Sequence, residues 1–381
     1  MKSHDVIILG LGGMGSAAAA HLAARGKRVL GVERFTSPHD RGASHGATRV
    51  IRQSYFEHPS YVPLLLRAYD LWRDLETRSG QSLLHLNGGL MLGAAESDVI
   101  TGTLRSARQH GLPHETLEAA EIRGRFPPFH VSDDTVGVFE KAGGYVLCEP
   151  SVAAHLAAAA HAGAELHFEE PVTSWTANED GGVSVQTSRT TYYADQLVIT
   201  PGPWAPDLLA DLGIPLTITR QVLCWFQASA GVAPFAADRF PIWIRQIDEH
   251  TSIYGFPAVD GEDGGVKVAF HDQPNQEFCT AETIDRTIRP DDEARLRAVL
   301  RDFLPALDGP LAKAATCLYT MTPDAHFVIT THPRHAQVHV ACGFSGHGFK
   351  FCSVVGEILA DLATTGATRH DLSLFSPSRF S

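Results

Sequence analysis

The sequence predicts an α/β fold in which a Rossmann-like domain is interleaved with a second, α+β domain containing a mixed β-sheet. Three observations carry that expectation. An N-terminal strand runs through a glycine-rich turn into an alanine-rich helix. A strand, glycine-rich turn and helix return near the C-terminus. Between them the stretch from Gln221 to Phe270 turns strand-rich. A length of 381 residues suits two or three domains at roughly 100–200 residues each. Hydrophobic residues at 44% and charged residues at 19% are ordinary globular values and exclude a wholly disordered chain. With 43 acidic against 31 basic residues the formal net charge is −12, which disfavours nucleic acid or an anionic membrane as main partner.

The elements follow in order. Val6 to Leu9 reads as a short buried strand, and Gly10-Leu11-Gly12-Gly13-Met14-Gly15 follows directly. Ser16 to Arg25 is helical, with Gly26 to end it. Val29 to Glu33 is the next strand and closes on an acid, 18 residues past Gly15. This is G-x-G-x-x-G in its required setting. Glycines let the backbone approach a pyrophosphate at a helix N-terminus, and Glu33 is placed to accept from an adenosine ribose. The acid disfavours a 2′-phosphorylated nicotinamide and does not separate NAD from FAD.

Pro63 to Arg78 reads as an amphipathic packing helix carrying Leu66, Tyr69 and Leu75. Ser151 to Ala162 is another helix, followed by a strand near 165–168 and a hairpin turning at Glu179-Asp180-Gly181-Gly182. Gln196 to Thr200 is a strand that enters the loop Pro201-Gly202-Pro203-Trp204. Strands at Val222–Phe226 and Ser252–Phe256 and a helix over Asp292–Phe303 follow. Val338 to Ala341 is a late strand, and a helix runs from about Phe351 to Leu362. The chain thus leaves the dinucleotide domain and returns to it. The first domain is expected at 1–85, 145–219 and 316–381 and the second at 86–144 and 220–315, to within about ten residues.

No segment is long and apolar enough to span a bilayer, and the N-terminal apolar run leads into the glycine motif rather than a cleavage site. The six cysteines include no Cys-x-x-Cys pair, so neither a disulfide scaffold nor a zinc site is expected and a reducing cytoplasm is the default. The twenty histidines show no metal-ligand spacing, and no metal is expected.

Four places concentrate chemistry. Arg49 and Arg52 stand three apart, so an extended segment would point one at a cofactor and the other at a substrate anion; a solvated basic loop is the bland alternative. Gly343 to Phe351 places three glycines and Lys350 before a helix N-terminus, where positive charge would favour a reduced ring system. His347 there would more often be structural. Lys267 and His271, four apart, share one face of a strand, with Tyr254 on a neighbouring strand, and a water-facing sheet surface is equally compatible. Cys317 sits in a β-branched and aromatic run and would ordinarily be core.

Together these segments resemble the monomeric sarcosine oxidase and N-methyltryptophan oxidase family, within the glycine/D-amino-acid-oxidase-like FAD enzymes. The resemblance runs over nearly the whole chain. It rests on the glycine motif with Glu33, on Ser44-His45-Gly46-Ala47-Thr48-Arg49-Val50-Ile51-Arg52, Tyr61-Val62-Pro63-Leu64, Tyr254-Gly255-Phe256-Pro257, Cys317-Leu318-Tyr319-Thr320 and Gly343-Phe344-Ser345-Gly346-His347-Gly348-Phe349-Lys350. It implies FAD on Gly10, Gly12, Gly13, Met14, Gly15, Glu33, Arg34, Ser44, Thr48, Arg49, Gly346, Gly348 and Lys350, joined covalently through Cys317, with Cys342 and Cys352 as the other candidates. It implies a substrate carboxylate on Arg52 and Lys350, with Tyr254, Tyr319 and His347 around it. It gives catalytic positions to Arg49, His271, Tyr254 and Lys267, the last in oxygen activation. The implied reaction oxidises a secondary N-methyl amino acid with O2, in a monomer, to H2O2, formaldehyde and the free amino acid. Other readings are a bulky or cyclic amino-acid oxidase, an NAD-dependent dehydrogenase and a non-catalytic flavin-binding protein. Ala47 stands where the family usually has an acid, Phe56 where it has glycine and Gln53 where it has histidine, and the stretch from Phe240 to Gln246 follows neither subgroup. These departures bear on the substrate side chain rather than the reaction.

Overall fold

The computed structural model describes residues 4–179 and 181–380. The expected turn at Glu179–Gly182 includes Asp180, which lies outside the described residues. The strands on either side of it, Val172–Ala177 and Val183–Thr187, pair antiparallel.

A parallel sheet forms the first layer. His4–Leu9 lies between Val29–Val32 and Thr191–Ile199, with Glu165–His167 beyond the former and His335–Cys342 beyond the latter, all parallel. Val328–His332 closes one edge antiparallel, and the hairpin pairs with the first half of Thr191–Ile199. Alternate residues feed opposite cores, as the two-residue period of a strand requires. Val6, Ile8 and Val198 meet the helices, while Ile7, Leu9, Leu197 and Ile199 meet the hairpin side.

The helix Gly13–Ala24 is alanine-rich because it is enclosed on both sides. It packs between Cys148–His161 and Cys352–Thr365, and a Cβ on Gly356 would sit 2.6 Å from the Ala17 side chain. Large side chains would hold these helices apart. The helix Val62–Ser79 buries Leu64, Leu65, Ala68, Tyr69, Leu71, Trp72 and Leu75 and stops at Gly80, φ 69°. Leu66 is a correction to the sequence reading: it is 40% exposed, because its position falls off the stripe through residues 65, 68, 72 and 75.

The second layer is a nine-stranded mixed sheet. Its path runs Glu277–Cys279, Thr217–Phe226, Val266–Asp272, Thr251–Gly255, Ile242–Asp248, Gly89–Ala94, Thr135–Glu140, Glu115–Glu118, and Leu311–Met321 joins on Thr217–Phe226. The last strand pairs from Leu311 to Met321 and so straddles the boundary expected at 315/316. One face (Cys224, Phe226, Val266, Val268) packs on the helix Pro290–Phe303 through Leu296, Leu300 and Phe303. The other face carries Leu223, Trp225, Tyr254 and Ala269, packed against Ala47 and Val50. That face looks onto a three-stranded sheet of Thr48–Ile51, Gly144–Leu147 and Leu84–His85. The strand bearing Arg49 is therefore held between the two layers.

Candidate active site

A groove of about 340 Å³ follows the C-terminal ends of the parallel strands, the place where open α/β sheets hold ligands. Gly10, Gly12, Gly13, Met14, Glu33, Arg34, Ser44, Arg49, Gly346 and Gly348 line it. Gly10 has φ 84°, and a Cβ there would sit 2.6 Å from the Thr200 carbonyl oxygen. Gly13 opens the helix, donates its N–H to Ser44 Oγ at 3.0 Å, and would meet Cys352 Sγ with a Cβ at 2.6 Å. Glu33 accepts from Leu11 N at 2.8 Å and Phe35 N at 3.1 Å, which fixes its carboxylate at the strand end. At the far end Trp204 and Arg34 both donate to Glu282, at 2.6 and 3.2 Å. Backbone brought this close, a helix N-terminus and a fixed acid at the next strand end fit a dinucleotide.

Gly15, Thr48, Cys317 and Lys350 do not line this groove. Gly15 packs so tightly on the Gly10 carbonyl that a Cβ would overlap it, so its role is helix–strand packing.

A second cavity of about 50 Å³ adjoins the groove and shares Arg49, Tyr319, Gly346 and Phe349 with it. Arg52, Lys350, Tyr254, His271 and His347 line it, with Phe56, Glu57 and Ile244. Arg49 thus faces both spaces and Arg52 only the smaller one. The Arg52 guanidinium lies between the rings of Tyr55 and Phe56, 4.1 and 4.2 Å from their centroids. Its Nη2 donates to both Glu57 oxygens, at 2.8 and 2.6 Å, and its buried Nε has no hydrogen-bond partner among the described residues. One edge of the fork is occupied and another donor is free.

Lys350 reaches the same cavity through a short relay. His347 Nε2 lies 2.9 Å from the Ala325 carbonyl and must donate there, so its Nδ1 accepts from the Tyr55 hydroxyl at 2.6 Å. The Tyr55 oxygen in turn accepts from Lys350 Nζ at 3.2 Å, and the His347 carbonyl accepts from the same ammonium at 2.7 Å. Burial and the nearby Arg52 lower the Lys350 ammonium to about 7. Burial opposes charge on Glu57, but Arg52, His347 and Lys350 hold its carboxyl down at about 2.

Cys317 is buried, with Arg49 Nη2 at 3.6 Å from its Sγ. Burial would raise the thiol, yet His45 and Arg49 pull it down to about 6. Burial instead raises Cys148, Cys224 and Cys342, each to about 12, and pushes Cys352 well up. Cys279 is also raised, by burial and Glu277. Cys317 is therefore the one cysteine poised as a thiolate.

Lys267 lines neither space. Its Nζ donates to the carbonyls of Gly46 and Thr48 at 2.7 and 2.8 Å, and Thr48 is buried there. A Cβ on Gly46 would lie 3.9 Å from this ammonium and 3.6 Å from Arg49 Nη1, so the two cations flank one glycine. His271 shares the strand face and lies within ring contact of Tyr254 and Tyr319, at 6.3 and 5.9 Å.

Sequence reasoning missed Glu57, Tyr55, Glu149 and Glu282. Glu57 had a usable signal, an acid five residues past Arg52 in a chain that then turns. Away from both spaces, Asp211, His332 and His335 bring ligand atoms within 4.8 Å of one another, although Asp211 is already paired with Arg334 at 2.6 Å. Among the described residues no helix is long and apolar enough to cross a membrane.

Residues 5–362 match the family model described as FAD dependent oxidoreductase. A monomeric sarcosine oxidase of Streptomyces avermitilis is 54% identical over 99% of this chain and 98% of its own. One from a Bacillus species is 39% identical over 100% and 98%. An N-methyl-L-tryptophan oxidase of Yersinia pestis is 36% identical over 99% of each. Among solved structures, NikD, an unusual amino acid oxidase essential for nikkomycin biosynthesis, superposes with a TM-score of 0.85 at 30% identity, over 99% of this chain and 98% of that one.

Proposed function

The chain belongs to the FAD dependent oxidoreductase family, and from that premise we propose that it oxidises small N-methyl amino acids, sarcosine first among them. The observation that carries the proposal is the convergence of Arg52 and Lys350 in a small cavity that opens onto the dinucleotide groove beside Arg49 and Tyr319. Arg49, Arg52 and Lys350 against the single carboxylate of Glu57 leave the cavity with excess positive charge, which calls for an anion, and a carboxylate matches the arginine fork. A volume of about 50 Å³, walled by Phe56 and Ile244, favours a substrate without a bulky side chain.

Bound FAD supplies a two-electron acceptor. The protein's part is to bind, orient and tune charge. Arg52 offers its guanidinium and Lys350 its ammonium to the carboxylate. Arg49 and Lys350 raise the cost of a second positive charge nearby, so the substrate amine is held neutral and able to give up its electrons. Tyr254, Tyr319 and His271 close the cavity around the N-methyl group. Sarcosine, oxygen and water then give glycine, formaldehyde and hydrogen peroxide. Lys267 supplies positive charge where negative charge develops on dioxygen.

Peroxide release from sarcosine, N-methylalanine, N-methyltryptophan, proline and methylamine tests the proposal. Sarcosine and N-methylalanine should lead, and methylamine should be poor. A clear preference for N-methyltryptophan would overturn the small-cavity reading while leaving the amine oxidation intact.

Cys317 is proposed as the covalent attachment point. Intact-mass analysis of denatured protein should show a gain of one FAD, lost in Cys317→Ser. An unmodified wild-type mass after expression with ample flavin would remove the linkage from the account.

The carboxylate clamp has a pH signature. A bound anion favours the protonated form of Lys350, which in the free protein titrates at about 7. Affinity for acetate, which has no amine to titrate, is therefore full below that pH and weakens above it. Its dissociation constant, read from the flavin spectrum, should rise between about pH 7 and about pH 9, and Lys350→Met should flatten the profile.

A further inference from the structure

We infer that Glu149 is a positioning residue for Lys267, holding the backbone arch whose carbonyls receive its ammonium. The inference rests on the proposed role of Lys267 toward oxygen. Glu149 Oε1 accepts from Gly46 N at 2.6 Å, and Oε2 accepts from Ala47 N at 3.0 Å. The opposite side of the same arch gives the Gly46 and Thr48 carbonyls to Lys267, at 2.7 and 2.8 Å. The Ala47 carbonyl between them accepts from Cys148 N at 2.7 Å. A carboxylate on the N–H side and an ammonium on the C=O side thus grip three successive residues.

The arch needs such a grip. Gly46 has φ 92° and Ala47 φ 67°, two successive residues in the left-handed region. Alanine there is strained and persists only when its surroundings fix it. The N–H groups of both residues converge on one carboxylate, that of Glu149. Glu149 also lies in the first turn of the helix Cys148–His161, where a carboxylate is favoured. That placement alone explains a modest stabilisation. It does not explain contact with residues 103 and 102 positions earlier in the chain.

The charge balance points the same way. The groups facing Lys267 are Arg49, Cys148, Cys317 and Glu149. Burial and Arg49 push its ammonium well down; Cys148, Cys317 and, after them, Glu149 favour the charged form. Removing the carboxylate takes away the nearby negative charge and loosens the arch that carries the ammonium's acceptors.

The test uses flavin-loaded protein reduced anaerobically by substrate and then mixed with oxygen across pH. In wild type, reoxidation should fall as pH rises through the titration of Lys267. In Glu149→Gln reoxidation should slow about tenfold or more, beyond any change in reduction, and the fall should move about one pH unit to the acid side. Glu149→Asp keeps the charge and should recover part of that shift; it also serves if the amide variant folds poorly. In a Lys267→Met background Glu149→Gln should change reoxidation less than about twofold. An unshifted pH profile, or the full loss repeated in the Lys267→Met background, would overturn the inference. Failure of the premise shows separately, as equal reoxidation in wild type and Lys267→Met.

Discussion

Arg52→Met should raise the KM for sarcosine by about 30-fold to several thousand-fold, the range expected when one partner of a buried charged contact, worth about 2–5 kcal/mol, is removed. Arg52 is 2% exposed, so solvent cannot stand in for it. It is also locked: two aromatic faces, the Ser54 carbonyl and Glu57 hold the guanidinium, whose Nε has no partner among the described residues. The same truncation leaves the Glu57 carboxylate buried beside Lys350 without its arginine, so some loss of stability is expected. Arg52→Lys separates the two effects, since it keeps a charge near Glu57 and loses the planar fork. Methylamine, which has no carboxylate, provides the control. Its low rate should change little in Arg52→Met. A parallel loss for methylamine and sarcosine would mean that Arg52 supports the fold of the cavity and not the carboxylate.

In Lys267→Met, reoxidation of the reduced protein by oxygen should slow by about 100-fold or more, the usual cost of deleting a preorganised electrostatic group. Anaerobic reduction by sarcosine should change far less. Methionine fills similar volume on the strand face, so the packing against Trp225 and Phe256 survives. The ammonium is anchored to the carbonyls of Gly46 and Thr48 and lines neither cavity. Its influence would therefore be exerted as charge in a buried, low-dielectric place rather than by contact with the amine. Rapid mixing of reduced protein with oxygen measures it, and an unchanged rate would make Lys267 a structural clamp.

Local rules made the first unit of the fold legible. Strand, glycines, helix, strand and acid occupy the 28 consecutive positions from Val6 to Glu33, so the pattern is local. The same holds for the helix Pro290–Phe303, where Leu296, Leu300 and Phe303 bury one face. Strand parity also placed Lys267 with His271. The site itself was only partly legible. Arg49 and Arg52 were visible as a basic pair, but nothing local distinguishes them from a solvated loop. What does so is long-range: Glu57 bent back on Arg52, Tyr55 bridging to His347 across 292 positions, and Cys317 brought to Arg49 across 268. The choice among six cysteines required the whole fold, because only the location of Cys317 beside two basic groups lowers its thiol. Leu66 failed for a simpler reason, a phase error of one position on a helix otherwise assigned correctly.

The central claim is that this protein takes two electrons from an N-methyl amino acid and passes them to oxygen. Anaerobic mixing of the purified yellow protein with sarcosine tests it most directly. The flavin absorbance should bleach fully, one formaldehyde should appear per flavin, and admitting air should restore the colour with release of one peroxide. A flavin that stays oxidised with sarcosine, N-methylalanine and N-methyltryptophan alike would contradict the account.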